Sequence, residues 1–297
     1  MTSSNLSLQP CTFFKKGAQK FGEKMKENNI FQMDYYQTYY FANICNTVIN
    51  DPFKYIRILD EFWGNGQISV YLKPFQKYSA LHMFIDFSID RLFYESNKEY
   101  EELSIENLIK HEFWINTALN YHNIKHPSFN DWYEDNKIST SPDDLMYAYL
   151  ESIEYSEYWI DLKIQMVEET FFILFLNRKF LQEFNENMAG ILKLENIHEF
   201  DNDTQNLFTK KGRLLRKSIP TWAKKAVFYR DRGTCTFCQK DLTGLINISN
   251  KYHIDHIVPL AKYGLNDVSN LQLLCDTCNT AKGQKSMKTS KSYEKWY

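Results

Sequence analysis

Two Cys-x-x-Cys pairs stand in the last quarter of this 297-residue chain, Cys235 with Cys238 and Cys275 with Cys278. Four thiolates at this spacing can hold one zinc ion in tetrahedral geometry. A disulfide framework and a thioredoxin-like redox pair are the alternatives. Because the first residues, Met-Thr-Ser-Ser-Asn-Leu-Ser, lack the basic and apolar parts of a secretion signal, we expect reduced thiols and a structural zinc site.

Polar residues between and beside the two pairs have the types that phosphodiester hydrolysis requires. Asp255 offers hard carboxylate oxygens and Asn279 a neutral amide oxygen, which suit a divalent cation. His256 suits the base that activates water, because the ordinary pKa of histidine is about 6.5. Adjacent residues of a strand point to opposite faces, so we expect Asp255 and His256 to flank one phosphate rather than to bind one ion together.

Two further side chains are candidates for substrate binding. His253 lies two residues before Asp255, on the same strand face, where it could contact phosphate or support the metal, with a structural hydrogen bond as the alternative. Lys282 shares a helix face with Asn279 and could bind a phosphate, with a solvated lysine as the alternative. Taken singly, Asp255 and Asn270 would be ordinary turn residues.

The local pattern predicts the elements that position these residues. A strand is predicted over 251–258, where Pro259 ends it, and a second over 271–274. A helix is predicted from Asn279 onward, and another over 222–230 before the first cysteine pair. The predicted order is therefore strand, loop, strand, helix.

These residues resemble the HNH endonucleases with the ββα-metal fold. The resemblance covers residues 220–285 and is carried by Cys235, Cys238, Asp255-His256-Ile257-Val258-Pro259, Asn270-Leu271-Gln272-Leu273-Leu274-Cys275, Cys278-Asn279 and Lys282. It implies that His256 activates the water and that Asn270 orders the loop that positions His256. It also implies that Asp255 and Asn279 hold a catalytic ion, and that cleavage of DNA leaves a 5′-phosphate and a 3′-hydroxyl.

The chain departs from the family pattern at two positions. The last histidine of the family is Asn279 here, and the first metal ligand is Asp255. RNA-guided nucleases and junction resolvases look like this variant. Because the predicted ligands are all oxygen atoms, we expect magnesium or manganese rather than zinc at the catalytic position.

The charge of the chain is distributed unevenly. Residues 209–297 contain 17 Lys and Arg against 6 Asp and Glu, a net charge of +11. Residues 1–208 contain 18 against 31, a net charge of −13. A basic surface of this size indicates a phosphate-backbone partner, although charge imbalance alone more often marks a solvated surface.

Apolar spacing predicts helices over 35–49, 75–94 and 105–121, and Ser141-Pro142 begins another. Residues 145–192 are predicted to form one long helix or two. Residues 67–72 are predicted to form a short strand or turn. The apolar run 171–176 is too short to span a bilayer, so we expect it in the core or in an oligomer interface.

Three histidines and a glutamate in the acidic part could be proposed as a second metal site. His111 and His122 are not at a ligand spacing of four residues, so we expect ordinary surface or core roles for His111, His122, His126 and Glu112.

The sequence predicts a mainly α protein, with a large N-terminal helical domain and a small C-terminal α+β nuclease domain stapled by zinc. The predicted domains are 1–208, for sensing, oligomerisation or a regulatory protein partner, and 209–297, for metal-dependent cleavage of DNA. We expect a cytoplasmic phage-defence or restriction effector that needs no membrane. The alternatives are a mobile-element or homing endonuclease and a non-catalytic, zinc-dependent DNA-binding module.

Overall fold

The computed structural model describes residues 30–64, 66–136, 138–244 and 251–295. Helices dominate these ranges, and two short strands form an antiparallel sheet near the C-terminus, which confirms the predicted fold class. The helices are α1 (Thr38–Asn50), α2 (Ile56–Trp63), α3 (Ala80–Asn97), α4 (Ile105–Lys110), α5 (Trp114–Tyr121), α6 (Phe129–Asn136), α7 (Pro142–Glu154), α8 (Glu157–Leu176), α9 (Arg178–Leu194), α10 (Asn202–Gln205), α11 (Thr221–Arg230) and α12 (Asp276–Lys282). The strands are β1 (Tyr252–His256) and β2 (Leu271–Cys275).

The prediction of one or two helices over 145–192 is wrong, because this stretch contains parts of three helices. α8 begins after Ser156, whose hydroxyl accepts a hydrogen bond from the amide of Trp159. α9 begins after Asn177, whose side-chain oxygen accepts from the amide of Phe180 at 3.1 Å. Serine and asparagine are strong N-cap residues, since their side chains satisfy an amide that has no partner within the helix.

Other boundaries also differ from the prediction. Residues 105–121 form two helices, α4 and α5, rather than one. Of the short strand or turn predicted over 67–72, the strand alternative is wrong, because Gln67–Tyr71 form a 3-10 helix. Asn65, before it, lies outside the described residues, as does Cys11 near the N-terminus. Ser141 caps α7 as predicted, because its hydroxyl accepts from the amide of Asp144 at 3.1 Å.

The chain divides into two compact units. Among the described residues, one contains those of 30–38 and 85–170, and the other contains those of 39–84 and 171–295. The core of the first is rich in aromatic side chains, with Phe113, Phe129 and Tyr149 in mutual ring contact. The domain boundary predicted at residue 208 stays a prediction, because the boundaries of these two units lie at other positions.

In the second unit, the loop before β2 is bonded to segments distant in sequence. Asn266 accepts a hydrogen bond at its carbonyl from the amide of Phe75, at 2.8 Å. The Asp267 carboxylate accepts from the amide of Ala80, at 2.9 Å. Asn185 on α9 donates to the hydroxyl of Ser269, at 3.3 Å. Residues 39–84 and 171–194 thus support the loop that leads into β2.

The apolar run 171–176 is partly buried. Leu174 and Phe175 belong to the core, whereas Phe172 and Leu176 are exposed. Within the described ranges, no helix combines the length and the apolar content that crossing a bilayer requires.

Candidate nuclease site

A two-stranded sheet followed by a helix forms the centre of the C-terminal region. β1 pairs antiparallel with β2, so that Tyr252 lies opposite Cys275 and His256 opposite Leu271. Every residue of β2 is buried, whereas β1 is partly exposed. α12 follows β2 directly and contacts both strands. The predicted order of strand, loop, strand and helix is confirmed, except that the helix begins at Asp276 rather than at Asn279.

The four cysteines of the two pairs come together at one end of this sheet. The sulfur atoms of Cys235, Cys238, Cys275 and Cys278 all lie within 4.8 Å of one another. The Cys238 and Cys275 sulfurs are 3.8 Å apart. A tetrahedral site with Zn–S bonds of about 2.3 Å has sulfur–sulfur edges of about 3.8 Å, so the arrangement fits a structural zinc ion.

Backbone amides around the cluster favour thiolate. The Cys275 sulfur accepts from the amide of Cys278 at 3.4 Å, in the turn that begins α12. Burial raises the pKa of Cys235, but backbone amides, first those of Cys238 and Cys275, outweigh this effect and lower it to about 7. The amide of Thr236 donates to the carbonyl of Leu273, which ties the first pair to β2.

Asp255, on β1, lies against Lys282 from the end of α12. The lysine Nζ is 2.8 Å from the Asp255 Oδ2 and donates to the backbone carbonyl of His256 at 2.7 Å. The Lys282 side chain is 1% exposed and that of Asp255 is 19% exposed. Lys282 is therefore a buried link between strand and helix, where the sequence had suggested a phosphate ligand or a solvated lysine.

His256, the last residue of β1, is 2% exposed. In the part of the chain that the structure describes, neither ring nitrogen has a hydrogen-bond partner. Burial and the nearby Arg216 guanidinium lower the pKa of His256 to about 4. The imidazole is therefore neutral at physiological pH and has a nitrogen lone pair available to accept a proton.

Asn270 binds both ends of the loop that joins β1 to β2. Its side-chain oxygen accepts from the amide of Val258 at 2.8 Å. Its side-chain nitrogen donates to the carbonyls of Val258 and Leu265, both at 2.9 Å. Asn270 is fully buried, and its own carbonyl accepts from the amide of Ile257. This side chain holds the backbone immediately after His256 in one conformation.

The remaining predicted residues lie on the more exposed side of the site. His253 Nε2 is 3.0 Å from the carboxylate of Asp276, at the start of α12, and both side chains are exposed. Asn279 lies in the middle of α12 and is half-buried. It precedes Lys282 by three residues, so the two share a helix face.

The buried carboxylate of Asp231 is a structural feature that no sequence motif predicts. It accepts two hydrogen bonds from the guanidinium of Arg230, at 2.9 and 2.8 Å, and one from the amide of Leu273 in β2, at 2.9 Å. Arg230 also donates to the carbonyl of Leu271. The pair fixes the end of α11 to β2, and the adjacent Arg-Asp dipeptide was its only signal in the sequence.

The basic segment 210–217 lies beside the loop between the strands. Arg213 stacks over the ring of Tyr263, 3.6 Å from its centroid, and donates to the carbonyl of Ala261. Asn266 donates to the carbonyl of Leu215. The exposed basic residues of the segment are Lys210, Lys211, Arg216 and Lys217.

Comparison with known proteins identifies the family of this region. No curated protein and no solved structure matches the chain significantly. Residues 235–285 match the family model HNH endonuclease, which confirms for this segment the resemblance that its motifs carry.

Proposed function

We propose that this protein is a metal-dependent endonuclease that hydrolyses DNA phosphodiester bonds at Asp255 and His256. The observation that carries the proposal is the end of β1, where a partly exposed carboxylate is followed by a neutral imidazole whose ring nitrogens have no partner among the described residues. The match of residues 235–285 to the HNH endonucleases supports it.

In this proposal Asp255 and Asn279 would hold a divalent ion, Mg²⁺ or Mn²⁺. Their donor atoms are oxygens, which these ions prefer, so the residues present fit the ion. When bound, such an ion neutralises charge on the phosphate and on the leaving oxygen. The Lys282 ammonium occupies one oxygen of Asp255, so ion binding would have to compete with this pair.

His256 would act as the general base. Its neutral ring can accept a proton from water as the water attacks phosphorus. The hydrogen bonds of Asn270 fix the backbone that follows the ring, so we assign Asn270 a positioning role. Because His256 is 2% exposed, the side chains that cover the imidazole must move away when DNA binds, so that water can reach the ring.

DNA would be attracted by the basic segment 210–217, whose exposed lysines and Arg216 lie on the chain beside the loop that follows His256. Such charges bind a phosphate backbone without reading its sequence. His253 is a further candidate for phosphate contact, since it is exposed on the same strand face as Asp255.

Supercoiled plasmid incubated with the purified chain and Mg²⁺ or Mn²⁺ tests the proposal. We expect nicked or linear product from the native protein and a loss of about 10²-fold or more in rate for His256→Ala and Asp255→Asn. His198→Ala, at an exposed position, serves as the control and should cut like the native protein. Equal cutting by all variants would refute the assigned residues, and DNA binding without cutting under either ion would favour a non-catalytic DNA-binding module.

We further propose that the enzyme acts as a phage-defence or restriction effector in the cytoplasm, with the acidic helical part as a sensing, oligomerisation or partner module. The net charge of −13 over residues 1–208 supports this division of roles, because it disfavours a DNA-binding surface there. Phage plating on bacteria that express the native chain or His256→Ala tests it. Protection that depends on His256 is expected, and equal plating on both would count against a defence role.

A further inference from the structure

A buried group of metal-binding side chains lies outside the nuclease region, in the unit that contains residues 85–170. Asp34, His122 and Glu169 each offer a ligand atom, and these atoms all lie within 4.8 Å of one another. His122 and Glu169 are buried, and Asp34 is half-buried. The residues come from the segment before α1, the end of α5 and the middle of α8.

The hydrogen bonds of His122 leave one ring nitrogen directed at the group. Its Nδ1 lies 2.8 Å from the carbonyl of Ala118, and a carbonyl can only accept, so Nδ1 carries a hydrogen. Its Nε2 is buried and has no hydrogen-bond partner in the described ranges. Histidines that bind metals commonly donate the other ring N–H to a backbone carbonyl in this way.

The distance from His122 to Glu169 is too long for a hydrogen bond. His122 Nε2 is 3.8 Å from Glu169 Oε1, whereas such bonds span about 2.7–3.2 Å. One ion with metal–nitrogen and metal–oxygen bonds of about 2.1 Å can join atoms up to about 4.2 Å apart. The separation therefore suits two ligands of one ion better than a direct bond.

The Glu169 carboxylate is oriented by two donors. Its Oε1 accepts from the amide of Asp34 at 2.7 Å, and its Oε2 accepts from the hydroxyl of Thr38 at 2.6 Å. Such hydrogen bonds around a ligating carboxylate fix its direction. They also hold Asp34 beside the imidazole, although 135 residues separate Asp34 from Glu169.

We propose that Asp34, His122 and Glu169 bind a divalent transition-metal ion, Zn²⁺ or Mn²⁺, in addition to the zinc of the four cysteines. One imidazole nitrogen and two carboxylates suit ions of intermediate softness, whereas Mg²⁺ and Ca²⁺ prefer all-oxygen sites. The ion would fasten the segment around Asp34 to α5 and α8, so its role is structural.

Metal analysis of the purified, extensively dialysed full chain tests this proposal. Asp255→Asn serves as the background, so that an ion at the nuclease site does not contribute. We expect that background to retain one Zn²⁺ or Mn²⁺ per chain beyond the cysteine zinc, and His122→Gln in the same background to lose it. His126→Gln is the matched control, because His126 contacts the carbonyl of Ile124 and is not in the group.

X-ray absorption spectroscopy of the zinc-loaded Asp255→Asn protein tests the site without a substitution at His122. The result therefore does not depend on whether a His122 variant folds. We expect nitrogen and oxygen scattering in addition to the sulfur shell of the cysteines. A single zinc per chain with sulfur neighbours alone would overturn the proposal and leave His122 and Glu169 as a plain ion pair. Equal loss of the ion in His126→Gln and His122→Gln would also overturn the assignment.

Discussion

The Nζ of Lys282 lies 2.8 Å from the Oδ2 of Asp255, so the last residue of α12 neutralises the carboxylate expected to hold the catalytic ion. The same ammonium donates to the carbonyl of His256. One buried cation thus connects the helix to two consecutive residues of β1. A buried charge that loses its partner is strongly destabilising, because the remaining charge is still removed from water.

Lys282→Met should lower the free energy of unfolding by about 2–4 kcal/mol, as measured by urea denaturation of the full chain. Lys285→Met, at an exposed position three residues later, should change it by less than about 0.5 kcal/mol. Mn²⁺ should then raise the urea midpoint of unfolding of Lys282→Met more than that of the native chain. In the variant, the Asp255 carboxylate no longer has the competing lysine ammonium. Equal shifts with Mn²⁺ would argue against a metal-binding role for Asp255.

A substitution at Gly264 tests whether the loop that Asn270 holds tolerates a larger side chain. A Cβ at Gly264 would lie 1.8 Å from the carbonyl oxygen of Val258 and 2.9 Å from the Asn270 side-chain nitrogen. Gly264→Ala must therefore displace the backbone beside His256, and we expect a loss of about 2 kcal/mol or more in stability together with a loss of nuclease activity. The measurement is thermal unfolding combined with plasmid cleavage.

Gly190 provides the matched control for that substitution. It lies inside α9, and a Cβ there meets nothing within 4 Å. Gly190→Ala should stabilise the chain by about 0.5–1 kcal/mol, because alanine loses less conformational freedom in a helix. If both variants behaved alike, the close approach at Gly264 would not be what constrains the loop.

The sequence was sufficient for features that depend on local spacing. The two cysteine pairs, the strands around His256 and Leu273, and the cap at Ser141 each follow from a few neighbouring residues. Helix boundaries were less predictable where the caps lay inside an apolar pattern. Ser156 and Asn177 interrupt residues 145–192 by capping new helices, although the apolar spacing alone continues through them.

Contacts between distant segments could not be read from spacing. His122 lies with Asp34 and Glu169 rather than with His111 and His126, its neighbours in sequence. No spacing in the sequence marks Asp231, whose carboxylate accepts a hydrogen bond from the amide of Leu273 in β2. The buried position of Lys282 is likewise set by the packing of α12 on β1, which a shared helix face does not reveal.

The cluster of four cysteines, which fits a structural zinc ion, allows a prediction with an internal control. Cys238→Ala should lower the zinc content of the chain by one ion and release α12 from the first cysteine pair, because three thiolates hold zinc much more weakly than four. Cys45→Ala, at a buried cysteine of α1 outside the cluster, should leave the zinc content unchanged. The measurement is zinc per chain after dialysis, and a chelator should lower the unfolding temperature of the Cys45 variant more than that of the Cys238 variant.

Glu168, on α8, should make stability depend on pH. Burial raises its pKa from the ordinary value of 4.5 to about 7. Between these values the unfolded chain has released this proton and the folded chain keeps it, so stability falls as the pH rises from 4.5 to 7. Glu168→Gln has no charge to desolvate, so its advantage over the native chain should grow across this range to about 3 kcal/mol at pH 8. Urea denaturation at several pH values measures the effect, with Glu106→Gln, on the exposed face of α4, as the control. A difference between Glu168→Gln and the native chain that stayed constant from pH 4.5 to 8 would show that the folded chain does not hold this proton.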